Sequence, residues 1–242
     1  MIKVVSCFWN AEKYIGKCVE SLQMQKFKDF KVYFIDDMST DNSVSKIEKL
    51  IDGDIRFELI INQEKKFKLR NLDELIRTFD DDDVVIELDG DDWLYLPTVL
   101  EEIDKTYQDS SVWITNGSFM YSNGSRGFSA KCNPLTIRKD AFRFSHLRTW
   151  KAFLWKSVPI ENLKETNGEY FKSGADVAYT FPLLELAGEK HYKFISSVLY
   201  VYNANSPYND HKEGSASGGL NEQSRVANII RKKTPLKQLF IE

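Results

Sequence analysis

With 242 residues, 42% of them hydrophobic and 29% charged, the chain is long enough to bury a sizeable core and has the make-up of a folded globular protein, which excludes disordered and fibrous classes. A formal net charge of −3 gives no ground for a nucleic-acid partner, and no apolar run reaches the length of a transmembrane segment. Three cysteines (Cys7, Cys18, Cys132) without a CxxC pair exclude a disulfide framework, and with no signal-peptide pattern the expected localisation is cytoplasmic.

The N-terminal half repeats a short apolar run, turn residues and an amphipathic stretch, the rhythm of βα units. Residues 2–8 (IKVVSCF) predict a first strand, and Tyr14, Ile15, Cys18 and Leu22 then recur at helical spacing. Residues 31–35 predict a second strand, with Ser39, Thr40 and Asp41 as candidate N-caps for the helix through VSKIEKLI. Residues 56–61 form a third strand, LRNLDELIRTF a third helix and residues 83–88 a fourth strand. Pro97 stands near the start of a further helix, TVLEEIDKTY, and residues 111–115 predict another strand.

Beyond residue 115 the pattern weakens. NGSFMYSNGSRGFS reads as a turn-rich ribbon and HLRTWKAFLWKSV as an amphipathic stretch rich in aromatics. SGADVAYTFPLLELAG is helical, with Pro182 predicting a kink or division and Gly188 a stop. FISSVLYVY is a last strand, NANSPYNDHKEGSASGGLNEQ a mobile loop, and RKKTPLKQ a solvated charged tail. No repeat or linker divides the chain, so the expectation is a single domain, 1–242, with a regularly patterned half (1–115) and a less regular one (116–242).

Right-handed crossovers between βα units build a doubly wound sheet whose ligand site lies at the carboxyl ends of its strands. The unusual residues collect there: Phe8-Trp9-Asn10, Asp36-Asp37 and Asp89-Gly90-Asp91-Asp92. Three carboxylates at one strand end raise one another's pKa values unless a cation lies between them, and oxygen ligands favour Mn2+ or Mg2+ over zinc. Gly90 would let the backbone approach whatever the metal carries. The bland alternative is a solvated acidic turn, but apolar flanks on both sides would hold these acids in place. A calcium loop does not complete from Asp81, Asp83 or Asp89. The run Asp80 to Asp83 reads as a solvated turn, and KKFKLR (residues 65–70) as a solvated face unless a phosphate-bearing ligand lies nearby.

In order, SCFWNAEKYIGKCVESLQMQKFKDFKVYFIDDMSTDNS, LRN and ELDGDDWL resemble the nucleotide-binding half of GT-A glycosyltransferases, in particular the inverting family 2; the likeness covers about the first hundred residues. The resemblance implies a GT-A, Rossmann-like α/β fold, a mostly parallel sheet flanked by helices with a C-terminal acceptor-side extension. It implies that Asp37 accepts a hydrogen bond from uracil or another base edge. Cys7 and Phe8 would complete that base pocket, Asn10 would belong to the motif after strand one, and Arg70 would reach the nucleotide. Asp89 or Asp91 would face the ribose, and Asp91 or Asp92 would hold the metal on the diphosphate, with all three kept as candidates. Met38 stands where the family often has Gly.

SGADVAYTF resembles the family segment, often Gly-Glu-Asp, that carries the catalytic base to a helix start; Asp176 is the matching residue, with Ala175 in place of the Glu. Without the resemblance, the favoured reading of Asp176 is a helix cap. His211 is a further metal-ligand candidate from a C-terminal loop, whereas His146 and His191 have no such context. Arg148 and Trp150 could lie near acceptor or diphosphate, although a Trp in such a stretch commonly serves the core, and Trp93 reads as packing support for the acidic turn.

The implied activity is metal-dependent, inverting transfer of a sugar from a nucleotide-sugar donor, expected to be a UDP-sugar, to a hydroxyl acceptor on a glycan or other molecule. The rival reading is a non-catalytic nucleotide-sugar or carbohydrate-binding module. A nucleotidyltransferase is disfavoured because FWNAEKYIGK supplies no phosphate loop.

Overall fold

The strands at the N-terminal end of the chain alternate their side chains between two buried faces. The structure is a computed structural model that describes residues 1–205 and 219–240. In β1 (Ile2–Phe8), Ile2, Val4 and Phe8 join one apolar layer and Val5 the other; Val32 and Phe34 against Tyr33 and Ile35 repeat this in β2 (Phe30–Asp36). Burial on both faces explains near-continuous apolar strands such as VVIE of β4 (Val84–Glu87). One layer is completed by α1 (Ile15–Gln23), α2 (Ser43–Ile51) and α4 (Val99–Tyr107), the other by α3 (Phe67–Ile76), α5 (Ala152–Lys156) and α6 (Ala175–Ala187).

The eight strands form one mixed sheet in the order β3-β2-β1-β4-β7-β6-β8-β5, where β3 is Phe57–Ile61, β5 Trp93–Leu94, β6 Ile114–Tyr121, β7 Arg148–Lys151 and β8 Tyr192–Tyr202. From β3 to β4 the strands are parallel, as βα units require. Then β7 enters antiparallel between β4 and β6, with Glu87 opposite Arg148 and Val85 opposite Trp150. This is an α/β sheet of the GT-A kind, flanked by helices, and the two halves of the chain share it.

Several expectations for the second half need correction. HLRTWKAFLWKSV is not one amphipathic stretch: Arg148–Lys151 is a strand with Trp150 fully buried, and the helix begins only at Ala152. A neighbour on each side turns these residues into sheet, which is tertiary context that no local periodicity carries. The strand anticipated at 111–115 starts at Ile114 and runs through the ribbon to Tyr121. The two-residue β5, too short for any pattern, pairs Trp93 with Val201, so Trp93 does brace the acidic turn.

Pro182 does not divide α6. Eleven of its thirteen residues are buried, and this packing offsets a helix-interior proline penalty of about 3 kcal/mol. Where a loop was anticipated, α7 (Gly219–Lys232) begins within GGLNEQ. The tail is not merely solvated: the Leu239 amide donates to the Leu186 carbonyl at 2.9 Å, and Lys233 Nζ to that of Lys164 at 2.7 Å. Asp83 likewise leaves the solvated-turn reading, since it is buried and accepts the Asp80 amide at 3.1 Å. Among the described residues no helix is long and apolar enough to cross a membrane.

Candidate active site

The carboxyl ends of β1, β2 and β4, the start of α3, the first turn of α6 and the end of β8 enclose a cavity of about 600 Å3, a size typical of small-ligand sites. Cys7, Phe8, Asn10, Asp37, Asp89, Asp91, Asp92 and Asp176 all line it. Of the anticipated site residues, Arg70 is not part of this lining, and His211 lies outside the described residues.

Asp37 sits at the end of β2 and organises the loop leading into α3. Its Oδ1 accepts the Lys66 amide at 2.9 Å, Asn62 Nδ2 at 2.9 Å and Asn71 Nδ2 at 3.1 Å; its Oδ2 accepts the Phe67 amide at 3.0 Å. Burial pushes the Asp37 carboxyl up, but these N–H donors and Lys65 outweigh it and hold it below its ordinary value. Oδ1 carries three donors, whereas Oδ2 has the Phe67 amide and Lys65 Nζ at 3.5 Å. Asn10, in the left-handed region at φ 51°, binds the loop after β1 to the loop after β2: its amide donates to Ser39 Oγ at 2.9 Å, and its Oδ1 accepts the Thr40 amide at 2.8 Å. Arg70 instead turns outward to Glu64 at 2.8 Å and Glu74 at 2.7 Å, because its place on α3 faces solvent-side acids.

Lys68, one helical position from the cavity-lining Phe67, takes the inward role expected of Arg70. Its Nζ lies 2.5 Å from both Glu87 and Asp89. Glu87 in turn pairs with Arg148 Nε at 3.0 Å, and Arg148 Nη1 reaches Asp176 at 2.9 Å. Five groups of alternating sign, Asp89, Lys68, Glu87, Arg148 and Asp176, thus run from the acidic turn to the first turn of α6. Tyr179 donates its hydroxyl hydrogen to Glu87. Glu87 and Arg148 are 2% and 1% exposed, and charges this buried persist only when each has its partner.

Asp176 is not a cap. Gly174, at φ 64°, occupies the N-cap position, and the Asp176 side chain, 41% exposed, faces the cavity. Enclosure pushes its carboxyl up, but Arg148 and Lys68 more than reverse this and hold it well below the usual carboxylate range. The first turn of α6 adds the favourable end of the helix dipole. The result is a carboxylate kept ionised at neutral pH and open on one side.

The acidic turn is held rigidly. Asp92 is buried, its Oδ2 accepting from the Tyr200 hydroxyl at 2.5 Å and its Oδ1 from the Asn203 amide at 2.6 Å. Burial, then Asp91 and Asp89, push the Asp92 carboxyl well above its ordinary range. Packing alone requires Gly90: a Cβ there would stand 2.5 Å from the Phe8 Cβ and 3.5 Å from the Cys7 carbonyl.

Ligand atoms of Asp89, Asp92 and His146 lie within 4.8 Å of one another. His146, dismissed on sequence, is 6% exposed, stacks on Tyr200 at 4.3 Å and lies 3.1 Å from Arg148 Nη2. Burial, then Arg148, push its pKa well below the ordinary value and keep the imidazole neutral, the form that ligates metal. Two carboxylates, a neutral imidazole and the neighbouring Asp91 make a donor set that fits Mn2+ or Mg2+. Trp150 stays with the core, stacked on Trp155 at 5.3 Å, and His191 stacks on Trp113.

A family model described as Glycosyl transferase family 2 matches residues 3–156, well over half of the chain. Glycosyltransferase GlyG of Streptococcus pneumoniae serotype 4 is 24% identical over 205 residues, 79% of this chain and 60% of that protein. The teichoic acid poly(glycerol phosphate) polymerase of Staphylococcus epidermidis is 34% identical over 73 residues, 30% of this chain and 9% of that protein. The chain therefore spans less than two thirds of the length of each of these relatives. Among solved structures, S. aureus TarS 1-349 in complex with UDP-GlcNAc is similar at a TM-score of 0.65 and 17% identity, over 85% of this chain and 59% of that one. The mannosyltransferase PcManGT from Pyrobaculum calidifontis, in complex with GDP-Man and Mn2+, is similar at 0.58 and 17%, over 83% and 56%. Those two likenesses are of fold; the family model, matched from β1 through the α5 helix across the strands that build most of the cavity, shows that the chain belongs to glycosyl transferase family 2.

Proposed function

We propose that the chain is a metal-dependent inverting glycosyltransferase that moves a sugar from a nucleotide-sugar donor, a UDP-sugar, to a hydroxyl acceptor. The observation that carries this reading is the shared cavity: Asp37, the acidic turn and an ionised Asp176, drawn from distant parts of the chain, face one space. UDP-GlcNAc in one fold neighbour, and GDP-Man with Mn2+ in another, support a nucleotide sugar and a divalent cation.

In this reading Asp37 Oδ2 accepts from the base, with Cys7, Phe8 and Asn10 around it. Asp89, Asp91, Asp92 and His146 would hold the metal, whose chemistry is Lewis-acid stabilisation of the departing diphosphate. Asp176 takes the proton from the acceptor hydroxyl as it attacks the anomeric carbon from the face opposite the nucleotide. One displacement forms no glycosyl-enzyme, so one base suffices. Arg148 keeps that base ionised and fixes its angle, and Lys68 balances Asp89 and Glu87 beside it.

The test is release of UDP from a panel of UDP-sugars, with and without Mn2+. The reading expects release for one donor that disappears with chelator. A non-catalytic binding module would instead bind donor and release no UDP under any condition, and that result would replace the proposal.

A further inference from the structure

Across β4 and β7 from the Asp37 side of the sheet, the cavity has a wall of a different character. Phe119 and Tyr121 from β6, Phe128 from the turn that follows and Tyr202 from the end of β8 form one edge-to-face cluster. Ring centroids are 5.3 Å apart for Phe119 and Tyr121, 5.4 Å for Phe119 and Phe128, and 5.7 Å for Tyr121 and Tyr202. Phe128 is 51% exposed, held half in water at a cavity that it lines. The turn that presents it is fitted to the cluster, because a Cβ on Gly127 would stand 2.3 Å from the Phe119 ring.

This wall is joined to the base. His146 meets Phe119 and Tyr202 at 5.8 Å each, and Arg148 touches both His146 and Asp176. Charge is distributed unevenly over the lining. Among the described residues, the cations that line the cavity are Lys65, Lys68 and Lys172, and each lies on the other side: Lys65 near Asp37, Lys68 on α3, Lys172 over the Phe67 ring at 5.7 Å. Five aspartates share the same space.

We infer that this aromatic wall is the acceptor subsite, and that the acceptor is a neutral sugar residue stacked by its apolar face on Phe128, not an anionic polyol phosphate; the inference rests on the glycosyltransferase reading above. A pyranose carries C–H groups on one face and hydroxyls around its rim, which suits exposed aromatic rings bordered by tyrosine hydroxyls. A phosphate chain calls for Arg or Lys forks, or a helix N-terminus, and among the described residues this wall offers neither.

The experiment compares a panel of neutral α- and β-linked disaccharides with a glycerol phosphate oligomer as acceptors, and sets Phe128→Ala and Phe128→Trp against the parent protein. Neutral disaccharides are expected to be the better acceptors. Phe128→Ala should raise the acceptor KM about 3- to 10-fold, the ratio expected for losing one aromatic contact, while the dissociation constant for UDP, read by calorimetry, stays within twofold; Phe128→Trp should restore the parent KM. Preference for the glycerol phosphate oligomer, or an unchanged acceptor KM in Phe128→Ala, would overturn the inference. Saturation-transfer NMR on protein loaded with UDP and Mn2+ separates the two readings. Disaccharide binding that is weakened by Phe128→Ala, in a protein that transfers nothing, supports the subsite and rejects the transferase reading; no disaccharide binding rejects the subsite.

Discussion

At the scale of single residues, the acids that define the cavity were legible, and the groups that make them work were not. Asp37, Asp89, Asp91 and Asp92 stand at strand ends, where their position exposes them, whereas Asp176 at a helix start stands out only through the family resemblance. Lys68, Glu87, Arg148 and His146 gain meaning only from partners distant in the chain, up to 92 residues away for Glu87 and Tyr179, or on neighbouring strands, such as Glu87 opposite Arg148. Motif position points to Arg70, but Lys68 is the one that lines the cavity, since two residues along a helix turn a side chain by more than half a revolution. Arg148 gives a prediction with a definite sign. It holds the Asp176 carboxyl down, so Arg148→Lys, which loses the two-pronged fork, should let that pKa rise and move the acid limb of the kcat/KM profile to higher pH. An unmoved limb would assign Arg148 a purely structural part. Met38, at φ 67° with its side chain 44% exposed, sits in backbone that favours glycine. Met38→Gly should therefore gain stability, by about 0.5–1 kcal/mol in urea denaturation, since relief of left-handed strain exceeds the added chain entropy.

At the scale of elements, the first four βα units declared themselves because each carries its own periodicity and turn chemistry. The strand β7 did not, since its four residues owe their conformation to β4 and β6 on either side, and β5 is shorter than any period. The helix α6 shows the converse: local chemistry pointed to a break at Pro182, and burial on all sides overrode it. Trp150 is the element-scale test. It is fully buried on β7 and stacks on Trp155 and Tyr179 at 5.3 and 5.2 Å. Trp150→Ala should cost about 3–5 kcal/mol, read as a lower urea midpoint, because the layer between β7 and α6 cannot close over such a void. A loss below about 1 kcal/mol would mean that the tryptophan belongs to a more accessible surface than the structure gives it.

At the scale of the whole molecule, one sheet carries cavity acids at the ends of β2 and β4 and cavity aromatics on β6 and β8, with the β7 strand and its Arg148 between them. The carboxylates of Asp37 and Asp176 both lie below their ordinary values in the folded chain. The sign follows: stability from such groups is fully present above the unfolded aspartate value near 3.9 and is lost below it, as pH falls through the lower folded values. Urea midpoints measured from pH 7 down to pH 3 should fall in the acid range, and Asp37→Asn should flatten part of that fall; a midpoint indifferent to pH would contradict the assigned donor contacts. The central claim, that Asp176 is the base of a single-displacement sugar transfer, is tested most directly by the turnover of Asp176→Asn with a UDP-sugar, Mn2+ and acceptor. The account predicts a loss of several orders of magnitude with UDP affinity retained, and turnover near that of the parent protein would contradict it.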